Sequence, residues 1–276
     1  MAIGEEQAAV YCDSGLNRGA LKKLLKRVYC RTYGHSDLHT HIRWRALETL
    51  LSASWFGVGS SVLEVGCSTG VISFEVARRY RDTKILAVDA DQEAIEIADK
   101  AKSLNRVTNV EFRVLRVPGL EKFANDTFDV VLLIDVIEHV NEDGILMKEI
   151  ARVLKPGGMV VISTPTPNYP RVFGRKFHEM IGHVREGYWR RDLEAVLRNA
   201  GFGAVRCKPY TYPFSALVCF VFYRGISGLR PLPMLFSPLM NLFSFCDLAW
   251  PLRSDRFACS LAMAAVKQDG CPAPAG

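Results

Sequence analysis

The stretch "VLEVGCSTG", residues 62–70, decides how this chain is read. An apolar run ends in an acid, Glu64, and breaks into a turn punctuated by Gly66 and Gly70. About twenty residues later "ILAVDAD" closes a second apolar run on another acid, Asp89, the spacing of nucleotide-binding βαβ units. Glycines in such a turn let backbone approach a ligand, and the helix that follows offers free N–H groups and a positive dipole end. A dinucleotide site would carry GxGxxG, and Gly66-Cys67-Ser68-Thr69-Gly70 misses that spacing. Glu64 fits a different demand, a carboxylate for a cationic ligand, while Asp89 can accept both hydrogen bonds of a ribose diol.

Outward from this loop, short apolar runs alternate with helical periods. The runs "SVLEVG", "KILAVDA", "NVEFRVL", "FDVVLLIDV", "MVVISTP", "GAVRCKPY" and "RFACSLAMAAVK" predict seven strands. The stretches "VISFEVARRY", "QEAIEIADKAKSL", "GILMKEIARVL" and "RRDLEAVLRNAGF" predict helices between them. That alternation is the pattern of an α/β fold around a parallel sheet, with its ligand beyond the carboxyl ends of the strands.

Composition narrows the class. With 276 residues, 49% of them hydrophobic, the chain can bury a sizeable core and reads as globular. The first ten residues are acidic and carry no apolar core, so they do not read as a secretory signal. Eight cysteines without a CxxC pair read as reduced thiols of a cytosolic protein rather than a zinc site. Of the net charge of +6, the segment 18–45 alone would account for more, with eight Lys/Arg against Asp37, and a second basic patch runs over 171–191. Such patches attract anionic surfaces, although solvated helix faces explain each of them as well.

Four motifs, "VLEVGCSTG", "ILAVDAD", "FDVVLLIDVIEHV" and "RVLKPGGMVVISTP", in this order and spacing closely resemble class I S-adenosylmethionine-dependent methyltransferases, in the small-molecule branch called type 11. The resemblance is strong over 61–165 and weaker through "GHVREGYWRRDLEAVLRNAGF". It implies a Rossmann-like sheet of seven strands, the last antiparallel, with S-adenosylmethionine as cofactor. By position it implies that Glu64, Gly66, Cys67, Ser68 and Gly70 form the loop against the methionine part, with Asp89 on the ribose and Ala90 beside the adenine. Asp135 and Ile137 would sit near the sulfonium. Ser68 stands where the family usually has glycine. Arg116 stands where an acid is common beside the adenine, which leaves the Val117 backbone N–H for that contact. The Asp/Asn-Pro-Pro-Tyr signature of methyltransferases acting on DNA-base amines is absent from "LIDVIEHV".

A sulfonium carries an activated methyl, so a base is needed only where the acceptor arrives protonated. His183 in "GHVREGY", on a segment expected to overhang the acceptor, is the first candidate, with Tyr188 and Tyr169 as companions. His139 in "IEHV" is the second, with bracing of the loop as its other reading. His35, His39 and His41 cluster in sequence but lack a second ligand type, so no metal is expected.

The ends carry the remaining expectations. Residues 1–56 read as a helical cap, 57–211 with 256–267 as the methyltransferase domain, 212–255 as an apolar insertion and 268–276 as a loose tail. Arg224, Arg230 and prolines break the insertion into runs of roughly 15 residues, short of the ~18 that span a bilayer, so it reads as a lid over the site. In "GALKKLLKRVYCR", Leu21, Leu24, Leu25 and Val28 share a helical face and the basic residues lie off it, which suits a membrane interface or a cap packed on the protein. Together these features favour a hydrophobic acceptor such as a quinone, a polyprenyl-linked molecule or a lipid, with O-methylation preferred. A cytoplasmic enzyme with peripheral membrane contact follows, and a homodimer would also use the apolar surface. The competing readings are an RNA- or protein-directed methyltransferase, which leaves the insertion unexplained, and a silent cofactor-binding protein.

Overall fold

The computed structural model describes residues 38–116, 119–174, 182–212, 214–217 and 255–268. Seven strands form one sheet: β1 (Ser61–Val65), β2 (Lys84–Asp89), β3 (Val110–Val114), β4 (Phe128–Ile134), β5 (Leu154–Pro165), β6 (Phe202–Tyr210) and β7 (Ser260–Lys267). Their order is β3-β2-β1-β4-β5-β7-β6. β1 through β5 pair in parallel, and β7 runs antiparallel between β5 and β6. This is the Rossmann-like α/β sheet, with an antiparallel last strand, that the sequence predicts.

The central strands are apolar at nearly every position because both faces are covered. Side chains alternate between the faces along each strand. Val130, Leu132 and Ile134 join a core built with α1 (Leu38–Glu48), α2 (Val71–Arg79) and α3 (Gln92–Asn105), through Trp44, Leu47, Phe74 and Ile95. Val131 and Leu133 join the opposite core, filled by Met147 and Ile150 of α4 (Asp143–Val153) and Leu193 and Leu197 of α6 (Arg190–Asn199). A short helix, α5 (Tyr169–Phe173), follows β5.

One boundary differs from the sequence reading. "LKPGG" belongs to β5 rather than preceding it: Leu154 pairs with Phe128, and the register then shifts so that Met159 pairs with Val130. Gly157, at φ +70, accommodates the extra residues. A bulge of this kind keeps a strand going where its sequence reads as a turn.

β1 lies between β2 and β4, so the chain reverses its direction of travel across the sheet there and leaves a crevice at the carboxyl ends of β1 and β4. The ends of β5 and β6 and the start of β7 share that edge. Of the 1–56 segment, α1 is described; Trp44, Leu47, Leu50 and Leu51 are buried, and Arg206 donates to the Leu50 carbonyl at 2.7 Å. The amphipathic stretch 19–31, most of the apolar insertion (213 and 218–254) and the tail from 269 onward lie outside the described residues. Among the described residues no helix is long and apolar enough to cross a membrane.

Candidate active site

The loop after β1 is shaped by backbone. Gly66, Ser68 and Gly70 have φ of +75°, +48° and +79°, the left-handed region. A Cβ on Gly66 would run into the Val136 side chain, and one on Gly70 would lie 2.6 Å from the Phe112 ring. These contacts explain why the turn is spelled with glycine. Ser68 carries a side chain in a conformation that costs an L-residue roughly 1–2 kcal/mol. Asp89, at the end of β2, accepts the Ser68 N–H on one oxygen at 2.7 Å and the Asp91 N–H on the other at 2.9 Å. Each oxygen keeps acceptor capacity beyond that one bond. Asp91 caps α3 by accepting from the N–H groups of Glu93 and Ala94.

Beneath this loop sit two residues expected to line it. Glu64 is 2% exposed and accepts a hydrogen bond from the Ser73 hydroxyl. Burial pushes its carboxyl up from 4.5 to about 7, against the lowering effect of Ser73. Cys67 is buried beside Ile72 and Phe74, and burial drives its thiol upward. Both side chains therefore hold the loop from below. Ala90 is exposed at the end of β2; Val117 lies outside the described residues.

Across the crevice Asp135, at φ +53°, follows β4. It forms an ion pair with Arg43 of α1 and accepts the Ser163 hydroxyl at 2.6 Å. Ser163 also lies 2.7 Å from the buried Tyr210 hydroxyl, whose ionisation is pushed upward by burial and by Asp135. A chain of polar groups thus joins α1 to the ends of β4, β5 and β6. Ile137 is fully buried in the α4-side core, so its side chain faces away from the crevice.

The segment 182–189 is stitched to the turn after β4. Val184 N–H donates to the Glu138 carbonyl at 3.0 Å, and Arg185 donates to the carbonyls of Val140 and Asn141. His139 Nδ1 lies 3.0 Å from the Gly182 carbonyl, which can only accept, so that nitrogen carries the proton. This stitching sets the His183 ring 4.7 Å from His139 in a T-shaped arrangement and 6.0 Å from the Tyr169 ring. Beneath them Glu138 is completely buried. It accepts from Thr164 at 3.2 Å on Oε2, and its Oε1 lies 4.0 Å from His183 Nε2. One atom each from Glu138, His139 and His183 fall within 4.8 Å of one another.

The structure therefore brings His183, His139 and Tyr169 together and takes Tyr188 elsewhere. The Tyr188 hydroxyl donates to Asp143 at 2.5 Å and receives a hydrogen bond from Arg185 at 2.6 Å, among the α4-side core residues. That is a brace for the segment. His35 and the side chain of His39 lie outside the described residues. Sequence reasoning passed over Arg43, Glu138, Ser163 and Tyr210. For Glu138 the signal was an acid inside an otherwise apolar turn, "DVIEHV"; for Ser163 and Tyr210 it was a polar group near a strand's carboxyl end.

Residues 57–195 match the family description "Methyltransferase domain". A ubiquinone biosynthesis O-methyltransferase of Neisseria meningitidis serogroup A is 33% identical over 164 residues, 56% of this chain and 68% of the relative. Phosphoethanolamine N-methyltransferase 1 of Triticum aestivum is 32% identical over 160 residues, 56% of this chain and 31% of the relative. Among solved structures, Haemonchus contortus phosphoethanolamine N-methyltransferase 2 in complex with S-adenosylmethionine superimposes with a TM-score of 0.56 at 18% identity, covering 89% of this chain and 60% of that one.

Proposed function

The chain belongs to the class I S-adenosylmethionine-dependent methyltransferases, and on that premise we propose that it methylates a hydrophobic small molecule at an oxygen. The cofactor, when bound, supplies a methyl group already activated on a sulfonium. The residues present suit it: Gly66, Ser68 and Gly70 hold the turn after β1 in the left-handed region, and Asp89 offers acceptors at the end of β2. In this reading the backbone of Gly66, Ser68 and Gly70 takes the methionine part, Asp89 the ribose, and Ala90 with Val117 the adenine. The protein's own chemical share is to align the acceptor and, where it is a hydroxyl, to take its proton.

The observation that carries the oxygen assignment is His183, a titratable ring set over a buried carboxylate where the acceptor would enter. The hydroxyl proton passes to His183 as its oxygen takes the methyl. His139, tied to the 182–189 segment through Nδ1, holds that ring in place. A hydrophobic acceptor is supported by Val184, Leu217 and Phe257, which are 47%, 57% and 41% exposed on or beside the crevice edge. The apolar composition of 212–255, which leaves from that edge, supports it too. We place the reaction in the cytoplasm at a membrane surface, a reading supported by the insertion and by the basic stretch 18–45. The names of the relatives include both an O- and an N-methyltransferase, so the acceptor atom is what the experiment must resolve.

Purified protein is incubated with methyl-labelled S-adenosylmethionine and, in parallel, with a prenylated catechol, phosphoethanolamine, or a lysate of its source cell. Label is expected in the prenylated catechol and in the solvent-extractable fraction of the lysate. Label in phosphoethanolamine alone would move the acceptor to nitrogen, and label in protein or RNA would replace the hydrophobic-acceptor reading.

A further inference from the structure

The geometry points to Glu138 as the positioning residue for His183: the buried carboxylate receives the Nε2–H and so leaves Nδ1 as the nitrogen that takes the acceptor's proton. The inference rests on the reading of His183 as the base.

Glu138 has no structural task that needs both its oxygens. Oε2 accepts from Thr164, but Oε1 has no hydrogen-bond partner among the described residues, although the side chain is completely buried. A buried carboxylate oxygen left unmatched costs one to several kcal/mol, so it marks a place where a donor is expected. The atom facing it is His183 Nε2, 4.0 Å away on a side chain 6% exposed. Closing that gap by about 1 Å gives an ordinary hydrogen bond, and such contacts are often long before the reactive complex forms. The His139 ring fixes His183 from the side, and His139 is itself pinned to the Gly182 carbonyl.

The charges around Glu138 set when the pair works. Asp135, from the same turn, raises its carboxyl; Arg43, from α1, opposes this; burial raises it most, and the result lies well above the usual carboxylate range. His183 and His139 are the titratable groups on the other side. With Glu138 ionised, its carboxylate accepts the Nε2–H and Nδ1 is unprotonated. The acceptor's O–H bond then breaks toward Nδ1, and the imidazolium formed is stabilised by Glu138. The acceptor oxygen supplies the electron pair of the new C–O bond.

The test compares the parent, Glu138→Gln, His183→Ala and the double variant. Cofactor affinity is read by calorimetry, and initial rate by label transfer into the prenylated catechol as a function of pH. His183→Ala should lose about 10²–10⁴-fold in rate and Glu138→Gln about 10–100-fold, each with cofactor affinity within about twofold. The double variant should be no slower than His183→Ala, since the two residues act as one unit. In Glu138→Gln the acid limb of the rate profile should also move to lower pH, because an imidazole without an anionic partner holds its proton less firmly. In the ligand-free parent, 15N shifts of the ring should report the Nε2–H tautomer above that limb, a readout that needs neither a variant nor turnover. A parental rate and pH limb in Glu138→Gln, with His183→Ala slow, would overturn the positioning role and leave the base standing. A parental rate in His183→Ala would remove the base and this inference with it. An Nδ1–H tautomer in the parent would also overturn it. So would one equivalent of Zn2+ or Mn2+ bound by the parent and lost in Glu138→Gln, since the carboxylate would then serve a cation.

Discussion

The two walls of the crevice are built from different materials. On the β1–β2 side the shape comes from backbone: three left-handed residues and the N–H groups gathered on Asp89. On the β4–β5 side it comes from side chains: Glu138, His139, His183 and the Arg43–Asp135 pair. A backbone wall is fixed by a few consecutive residues and tolerates little change at any of them. A side-chain wall is assembled from distant segments, and each member can be removed with the others left standing. The first suits an invariant ligand such as the cofactor; the second suits an acceptor that varies from one relative to another.

The hardest blow to this contrast falls at Gly66. A Cβ there meets Val136 and sits on a left-handed backbone, so Gly66→Ala combines overpacking with conformational strain. The expected loss is about 2–4 kcal/mol of stability with a fall in cofactor affinity of at least about tenfold. Adding Val136→Ala should recover the steric part and leave the strain. If Gly66→Ala melted and bound cofactor like the parent, the backbone wall would not be the rigid half.

Glu64 tests whether the backbone wall rests on a buried acid. Its carboxyl ionises at about 7 in the fold against 4.5 in its absence. The folded protein therefore holds this proton where the unfolded chain has released it. Glu64's contribution to stability is complete below about 4.5 and is lost as pH rises to about 7. At about 1.4 kcal/mol per pH unit the change is on the order of 3 kcal/mol, an upper bound. Urea denaturation of the ligand-free protein from pH 4.5 to 8 should show this decline, and Glu64→Gln should lack it. Parallel curves for the two proteins would mean that Glu64 ionises normally and the loop stands on something else.

The same contrast explains what could be read from sequence. The β1 loop was legible because each demand, a tight turn, a close approach, an acid at a strand end, is met within a few residues. The antiparallel last strand came with the family resemblance, and the sheet has it; the strand order is read from the structure. The β4–β5 wall was half legible. His139 and His183 stood out as titratable groups, but what places them is the stitching of 182–189 onto the turn after β4, about forty residues away. Arg43 reaches Asp135 across 92 positions, and no local pattern announces that. Ile137 came with the family resemblance and Tyr188 with its place on the segment expected to overhang the acceptor, whereas the Ile137 side chain lies in the core and the Tyr188 hydroxyl bonds to Asp143.

Asp89 sharpens the comparison because it belongs to the backbone wall yet acts through a side chain. Asp89→Ala should weaken cofactor binding by about tenfold, through the loss of charge-assisted bonds to the ribose. The Ser68 and Asp91 N–H groups would be released at the same time. Asp89→Asn keeps one acceptor oxygen and should fall between the parent and the alanine variant. Equal affinities in calorimetry across the three proteins would take the ribose away from this residue and leave it as a loop clamp.

The smallest effect is expected at Tyr188, where the sequence suggested chemistry and the structure shows a brace. Its hydroxyl joins Asp143 to Arg185, and its ring lies among Leu193 and Leu197. Burial and the Asp143 carboxylate both push its ionisation upward, which keeps the hydroxyl protonated at any working pH and unsuited to accept a proton. Tyr188→Phe keeps the ring and removes the hydroxyl, so it should cost about 1 kcal/mol of stability. Arg185 still holds Asp143 and the Val140 carbonyl in that variant, so the 182–189 segment should stay in place. Label transfer should then remain within about twofold of the parent, in contrast to the loss expected at His183. A drop of tenfold or more with unchanged melting would move Tyr188 out of the brace and into the chemistry, and the acceptor wall would extend further along that segment than the present contacts show.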